Sequence, residues 1–120
     1  MAIEDTSGTV TFTTLTTTNA TTIKAKETIV DATFVEGVTG PPSHLVISNT
    51  DASGDSCTFD LFFTDGTTTH YLLRSTEVPA GVALVLEGLE LGYDTTVYDF
   101  KAQLDSVSAT QILTIKATYQ

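Results

Sequence analysis

Residues 77–88 read EVPAGVALVLEG: a proline and a glycine stand directly before a short apolar run that closes on a second glycine. Pro79 removes a backbone donor and Gly81 permits a turn that other residues find strained, so the extended segment HYLLRSTEV must end and reverse before VALVLEG begins. The run after the corner is too short for a helix and fits a strand. The stretch is architectural, and the segments on either side of it follow the same grammar.

Upstream, CTFDLFF and THYLLRS are joined through TDGTT, where Asp65-Gly66 offers the positive φ angles of a tight hairpin. Cys57, Phe59, Leu61 and Phe63 then point one way, with Thr58 and Asp60 pointing the other. HLVISN gives a strand with Leu45 and Ile47 on one face and Val46 on the opposite one, ended by the polar loop TDASGDS. TIVDATFV reads as an extended run stopped by EGVTGPPS, whose glycines and prolines forbid both helix and central strand. Downstream, VYDFKAQL sets Tyr98, Phe100, Ala102 and Leu104 against Asp99, Lys101 and Gln103. TQILTIKATY sets Leu113, Ile115, Ala117 and Tyr119 against Ile112, Thr114, Lys116 and Thr118.

No segment carries a sustained i, i+3, i+4, i+7 stripe. Seven to nine strands with turn signals every eight to twelve residues predict an all-β fold, an antiparallel β-sandwich. A jelly-roll-like topology is preferred because eight strands in two packed sheets fit the count and protect most edges; an immunoglobulin-like sandwich is the alternative. The first stretch differs from the rest. It is rich in threonine, which favours extended backbone without demanding burial, and its alternation fades past Leu15. Residues 1–27 are therefore expected to be an extended arm or edge strand, and residues 28–120 the sandwich domain.

The chain has 120 residues, enough for one domain, and 41% hydrophobic residues, enough apolar surface to offset chain entropy. Fifteen Asp and Glu against five Lys and Arg give a net charge of −10. Such a surface repels phosphate backbones and anionic headgroups, which argues against nucleic acid and membrane partners. A lone cysteine, Cys57, forms no internal disulfide and reads as a small buried residue. No basic n-region precedes an apolar stretch and no run is long enough to span a bilayer, the pattern of a chain made and kept soluble.

Candidate chemistry is sparse. Asp51 and Asp55 in NTDASGD lack the bidentate partner of a calcium loop, so a solvated acidic loop is expected and no metal site is assigned. Asp94 in GYDTT reads as a turn former through Asx hydrogen bonding. His44 and His70 form no ligand cluster, and no serine sits in a nucleophile elbow, so neither a catalytic residue nor a cofactor is expected. Tyr71, Tyr93, Tyr98 and Tyr119 could serve a sugar platform. Alternation instead groups Tyr98 and Tyr119 with core-facing neighbours and puts Tyr93 in a turn.

The order of these elements resembles that of a group of small virion proteins common among marine and cyanobacterial phages. The shared elements are a strand ending in Asn-Thr (Val46 to Thr50), a polar loop (Asp51 to Ser56), a strand (Cys57 to Phe63), the Asp65-Gly66 hairpin, the Tyr71 to Leu73 strand, the Val78 to Gly81 corner and the apolar Val82 to Leu86 strand. The chain departs from the pattern in two loops: VEGVTGPPS replaces an earlier Pro-Ala-Gly corner, and Gly92-Tyr93-Asp94 replaces a Gly-Asp turn.

The resemblance implies a β-sandwich structural protein of the virus particle. With an acidic surface and no catalytic cluster, the expected function is non-enzymatic: a capsid decoration protein on the outside of the head, made in the host cytoplasm and bound to the major capsid protein or other virion subunits. A homotrimer is the expected oligomer. Val10, Phe12 and Leu15 in the arm, and Glu36, Gly37, Pro41 and Pro42 in the following loop, are the expected contacts. The alternative is a tail- or fibre-associated module that binds host surface glycans.

Overall fold

The computed structural model describes residues 9–27, 29–30, 33–34, 40–50, 54–105 and 112–119. Along them run β1 (Thr9–Leu15), β2 (Thr21–Lys24), β3 (Ile29–Val30), β4 (Thr33–Phe34), β5 (His44–Asn49), β6 (Cys57–Thr64), β7 (Thr69–Val78), β8 (Ala83–Glu87), β9 (Asp99–Leu104) and β10 (Leu113–Tyr119). One 3-10 turn, Gly88–Leu91, follows β8, and the described residues contain no α-helix.

Two four-stranded sheets form, in the orders β1-β10-β5-β8 and β2-β9-β6-β7, and every neighbouring pair in them is antiparallel. Both sheets contribute to one core: Leu45, Ile47, Leu113, Ile115 and Tyr119 from the first meet Phe59, Leu61, Phe100, Ala102 and Leu104 from the second. Burying each of the larger side chains stabilises the fold by roughly 1.5–3 kcal/mol, so this contact holds the layers together. The fold is all-β and β-sandwich-like. Period-two alternation places the core residues of β5, β6, β9 and β10 on the sides read from the sequence, with Cys57 buried among them.

The corner in EVPAGVALVLEG does more than reverse a hairpin. β7 belongs to the second sheet and β8 to the first, so the corner carries the chain from one layer to the other. The Val82 N–H donates to Pro79 O at 3.1 Å, and Gly81 takes φ +79°, the left-handed value that the third position of a type II turn requires. The 65–68 hairpin is formed as expected, by a different division of labour. Gly66 alone supplies a positive φ (+97°), while Asp65 works through its carboxylate, whose Oδ1 accepts from the N–H groups of Thr67 and Thr68 at 2.8 Å each. Those two bonds hold the Asp65 carboxyl below its ordinary pKa.

One segment differs from the sequence reading. The run TIVDATFV is not one strand: β3 and β4 pair with each other, Ile29 opposite Phe34 and Val30 opposite Thr33. The described part of the N-terminal stretch takes the edge-strand alternative and lies in the sheets. β1 is an edge of the first sheet and β2 an edge of the second, and they send Leu15 and Ile23 into the core; residues 1–8 lie outside the described residues. The linker after Gly88 is also structural, because the 3-10 turn buries Leu91 completely.

Candidate functional site

The outward face of the first sheet can be read row by row from its register. One row is Val10, Thr118, His44, Glu87; the next is Phe12, Lys116, Val46, Val85; the third is Thr14, Thr114, Ser48, Ala83. The alternate residues of these strands are buried, as Leu15, Ile115 and Ile47 are, or half-buried, as Thr11, Thr13, Leu84 and Leu86 are, which fixes the rows as outward-facing. Phe12 is 68% exposed, Val85 50% and Val10 36%, and Val82 is exposed beside β8. In a chain of net charge −10, the carboxylate on these three rows is Glu87, at one corner and 3.5 Å from His44 Nδ1. The face is therefore nearly neutral and partly apolar.

The outward residues of the second sheet differ. Asp60, Asp99, Lys101 and Gln103 occupy its middle strands together with Phe62, which meets the exposed Tyr71 ring on β7 at 5.6 Å, and the Asp60 carboxylate is committed to the fold, accepting from the Ser75 N–H at 2.7 Å. That bond anchors a bulge in β7, where the register with β6 shifts and Ser75 takes φ +50°.

The residues expected to make contacts separate. Val10 and Phe12 lie on the neutral face, but Leu15 is 1% exposed and belongs to the core. The correction has a simple cause: Leu15 is odd-numbered on a strand whose even-numbered residues point outward, so it cannot share a side with Val10 and Phe12. Pro42 is buried and Pro41 half-buried, while Glu36 and Gly37 lie outside the described residues, as does Asp51.

A second feature is a cleft of about 220 Å³ lined by Phe63, His70, Gly92, Tyr93 and Tyr98. Phe63 stacks on Phe100 (ring centroids 4.8 Å) and packs against Tyr93 (4.6 Å), while His70 meets Tyr98 edge-on at 5.7 Å. The 92–98 segment is held over the sheet by the Asx turn expected at Asp94, whose Oδ1 accepts from the Thr96 N–H at 3.0 Å. Asp94 O accepts from the Val97 and Tyr98 N–H groups, which stops β9 from starting before Asp99 and turns Tyr98 to the cleft instead of the core. Sequence alternation missed this because VYDFKAQL begins two residues before β9 does. Tyr119 is a core residue, as expected.

Burial pushes the Tyr93 phenol far above its ordinary pKa, with the neighbouring Tyr119, Glu27 and Asp99 adding to the effect. Glu27 itself is a structural node unforeseen in the sequence. Its side chain is 8% exposed and sits 3.2 Å from Lys24 Nζ, while its Oε2 also accepts from the Gly40 N–H. Its N–H donates to Thr95 O at 2.7 Å. Together these tie the end of β2 to the 40s loop and to the wall of the cleft.

Among the described residues no three His, Cys, Asp or Glu side chains converge as metal ligands would. No known protein family, curated protein or solved structure matches this chain. What the fold and the surface define is a class, a small acidic β-sandwich-like domain whose first sheet presents a nearly neutral, partly apolar outward face.

Proposed function

We propose that this protein is a non-enzymatic structural component of a phage particle, a decoration protein that binds the outside of the head and reinforces it by contact. The observation that carries the reading is the neutral face of β1, β10, β5 and β8 on an otherwise acidic molecule. A chain that needed only solubility would spread its carboxylates over that face as well. Many copies, each burying a modest area against shell subunits, sum through multivalency.

The pairing scheme is consistent with this reading. If β3 and β4 are set aside and the other eight strands numbered in chain order, first pairs with eighth, second with seventh, third with sixth and fourth with fifth. Those are the pairings of one long hairpin rolled over on itself, which supports a jelly roll over an immunoglobulin-like sandwich. Jelly rolls recur in viral capsid and lectin domains. That link is an analogy of fold; the ordered sequence motifs carry the phage context.

The test is binding to purified heads by co-sedimentation, with Val85→Lys as the probe because it adds a charge to the exposed face without touching the core. Saturable binding that Val85→Lys weakens is expected; absence of head binding overturns the reading.

The aromatic cleft favours a second reading, a tail- or fibre-associated glycan binder. Its volume falls below the roughly 300–1,000 Å³ of drug-sized ligand pockets, so it would take a single ring stacked on Tyr98 with His70 at the rim. Saturable binding on a glycan array that Tyr98→Ala abolishes would establish it.

A further inference from the structure

A sheet edge presents unpaired N–H and C=O groups, and proteins protect such edges with short strands, charges, prolines or bulges. Four strands lie at the edges of the two sheets here: β1 and β8, β2 and β7. β2 has four residues, ends on Lys24 and carries a register shift. β7 has Arg74 and Glu77 and two register shifts. β8 has five residues and ends on Glu87. β1 has none of these devices. Its seven residues, TVTFTTL, contain no charge, proline or glycine and pair in unbroken register with β10 from Thr9 opposite Tyr119 to Leu15 opposite Leu113.

We propose that β1 is a self-association edge: two copies of this chain pair antiparallel through β1 about a two-fold axis at Phe12, joining their first sheets into one continuous eight-stranded sheet. This does not depend on the virion reading. The occupant follows from charge and symmetry. A basic partner would be met by carboxylates, and β1 and its outward neighbours on β10 offer none. A second copy, itself at −10, is tolerated best at such a carboxylate-free edge.

A two-fold contact must also be complementary to itself. About Phe12, Thr11 faces Thr13 of the second copy, Val10 faces Thr14, Thr9 faces Leu15 and Phe12 faces its own equivalent. That arrangement converts an exposed ring into an aromatic cross-strand pair flanked by Val-Thr pairs, which stabilise sheets. Among the described residues each chain has one such edge, so the contact closes at two copies rather than at the trimer expected from the sequence.

An edge pair of this length buries less than a standard interface of ~1,200–2,000 Å², so the dissociation constant should fall in the micromolar range, about 1–100 μM. Sedimentation velocity of the full chain across that range should show a monomer–dimer equilibrium. Phe12→Lys should weaken it at least about tenfold with unchanged thermal unfolding, because it loses the ring pair and opposes two like charges. Val85→Lys, on the same face but three strands away, should leave it unaltered. Oxidised Phe12→Cys should give a covalent dimer on a non-reducing gel where Val85→Cys does not. A monomer at every concentration, an association that Val85→Lys weakens and Phe12→Lys does not, or equal cross-linking of the two cysteine variants overturns the proposal.

Discussion

Asn49 Nδ2 donates to Val78 O at 2.8 Å, and through this bond the last residue of β5, in one sheet, holds the last residue of β7, in the other. The same amide donates to Asp55 O at 2.9 Å, while the Asn49 backbone accepts from the Gly81 N–H and donates to Val82 O. The side chain is 2% exposed. One asparagine thus joins two elements whose linked residues stand 29 positions apart in the chain, the strand ending in Asn-Thr and the Val-Pro-Ala-Gly corner. A buried amide on one layer that satisfies a carbonyl of the other layer and one in the loop between β5 and β6 fixes the angle at which the chain changes sheets.

Replacing Asn49 with leucine keeps its size and removes both side-chain donors, leaving the Val78 carbonyl buried without that partner. The expected cost is about 2–3 kcal/mol, measured as a fall in the urea midpoint at constant slope. A midpoint unchanged from the parent protein would show that the amide contributes shape alone.

Leu15 and Phe12 sit three residues apart on β1 and should respond in opposite ways. Leu15→Ala empties a core position and should cost about 2–5 kcal/mol, whereas Phe12→Ser, on the exposed face, should stay within about 0.5 kcal/mol of the parent in dilute solution. A larger loss in Phe12→Ser than in Leu15→Ala would mean that the strand is packed with the opposite side inward.

Glu27 predicts a pH dependence. Burial, the largest single influence, pushes its pKa up, but hydrogen bonds from the Thr95 side chain, the Gly40 N–H and Lys24, with the charge of Lys24, outweigh it and leave the carboxyl below its ordinary 4.5. A folded-state pKa below the unfolded one means that the unfolded chain binds more protons. The stabilisation is therefore complete above pH 4.5 and is lost as pH falls through the folded value. Glu27→Gln should cost about 1–2 kcal/mol at pH 7, and its deficit should shrink as acid is added below pH 4.5. Parallel stability curves for the two proteins from pH 7 to 3 would refute the assignment.

The Tyr93 hydroxyl is buried without a hydrogen-bond partner among the described residues, while its ring packs on Phe63 and Phe100. Tyr93→Phe keeps the rings and removes the orphaned group, so thermal denaturation should show no loss and a gain of up to about 1 kcal/mol. A clear loss would reveal a partner for that hydroxyl.

The layered fold was legible from the sequence because alternation with a period of two is a property of the chain itself. Leu45 and Ile47, Phe59 and Leu61, Phe100 and Leu104, Leu113 and Ile115 each share a face by covalent geometry, whatever they later pack against. The corner at Pro79 and Gly81, the turn at Asp94 and the burial of Cys57 were local as well. Tertiary structure decided the rest. Threonine is nearly indifferent to burial, so in TVTFTTL nothing local says whether Phe12 or Leu15 points inward; the sheet that covers β1 settles it. The aromatic cleft and the Glu27 node depend on residues tens of positions apart meeting at one end of the sandwich. The neutral face depends on four strands from distant parts of the chain lining up in register. Spacing along a sequence specifies which side chains share a surface, but only the packing partner determines which of the two surfaces is left to meet the outside.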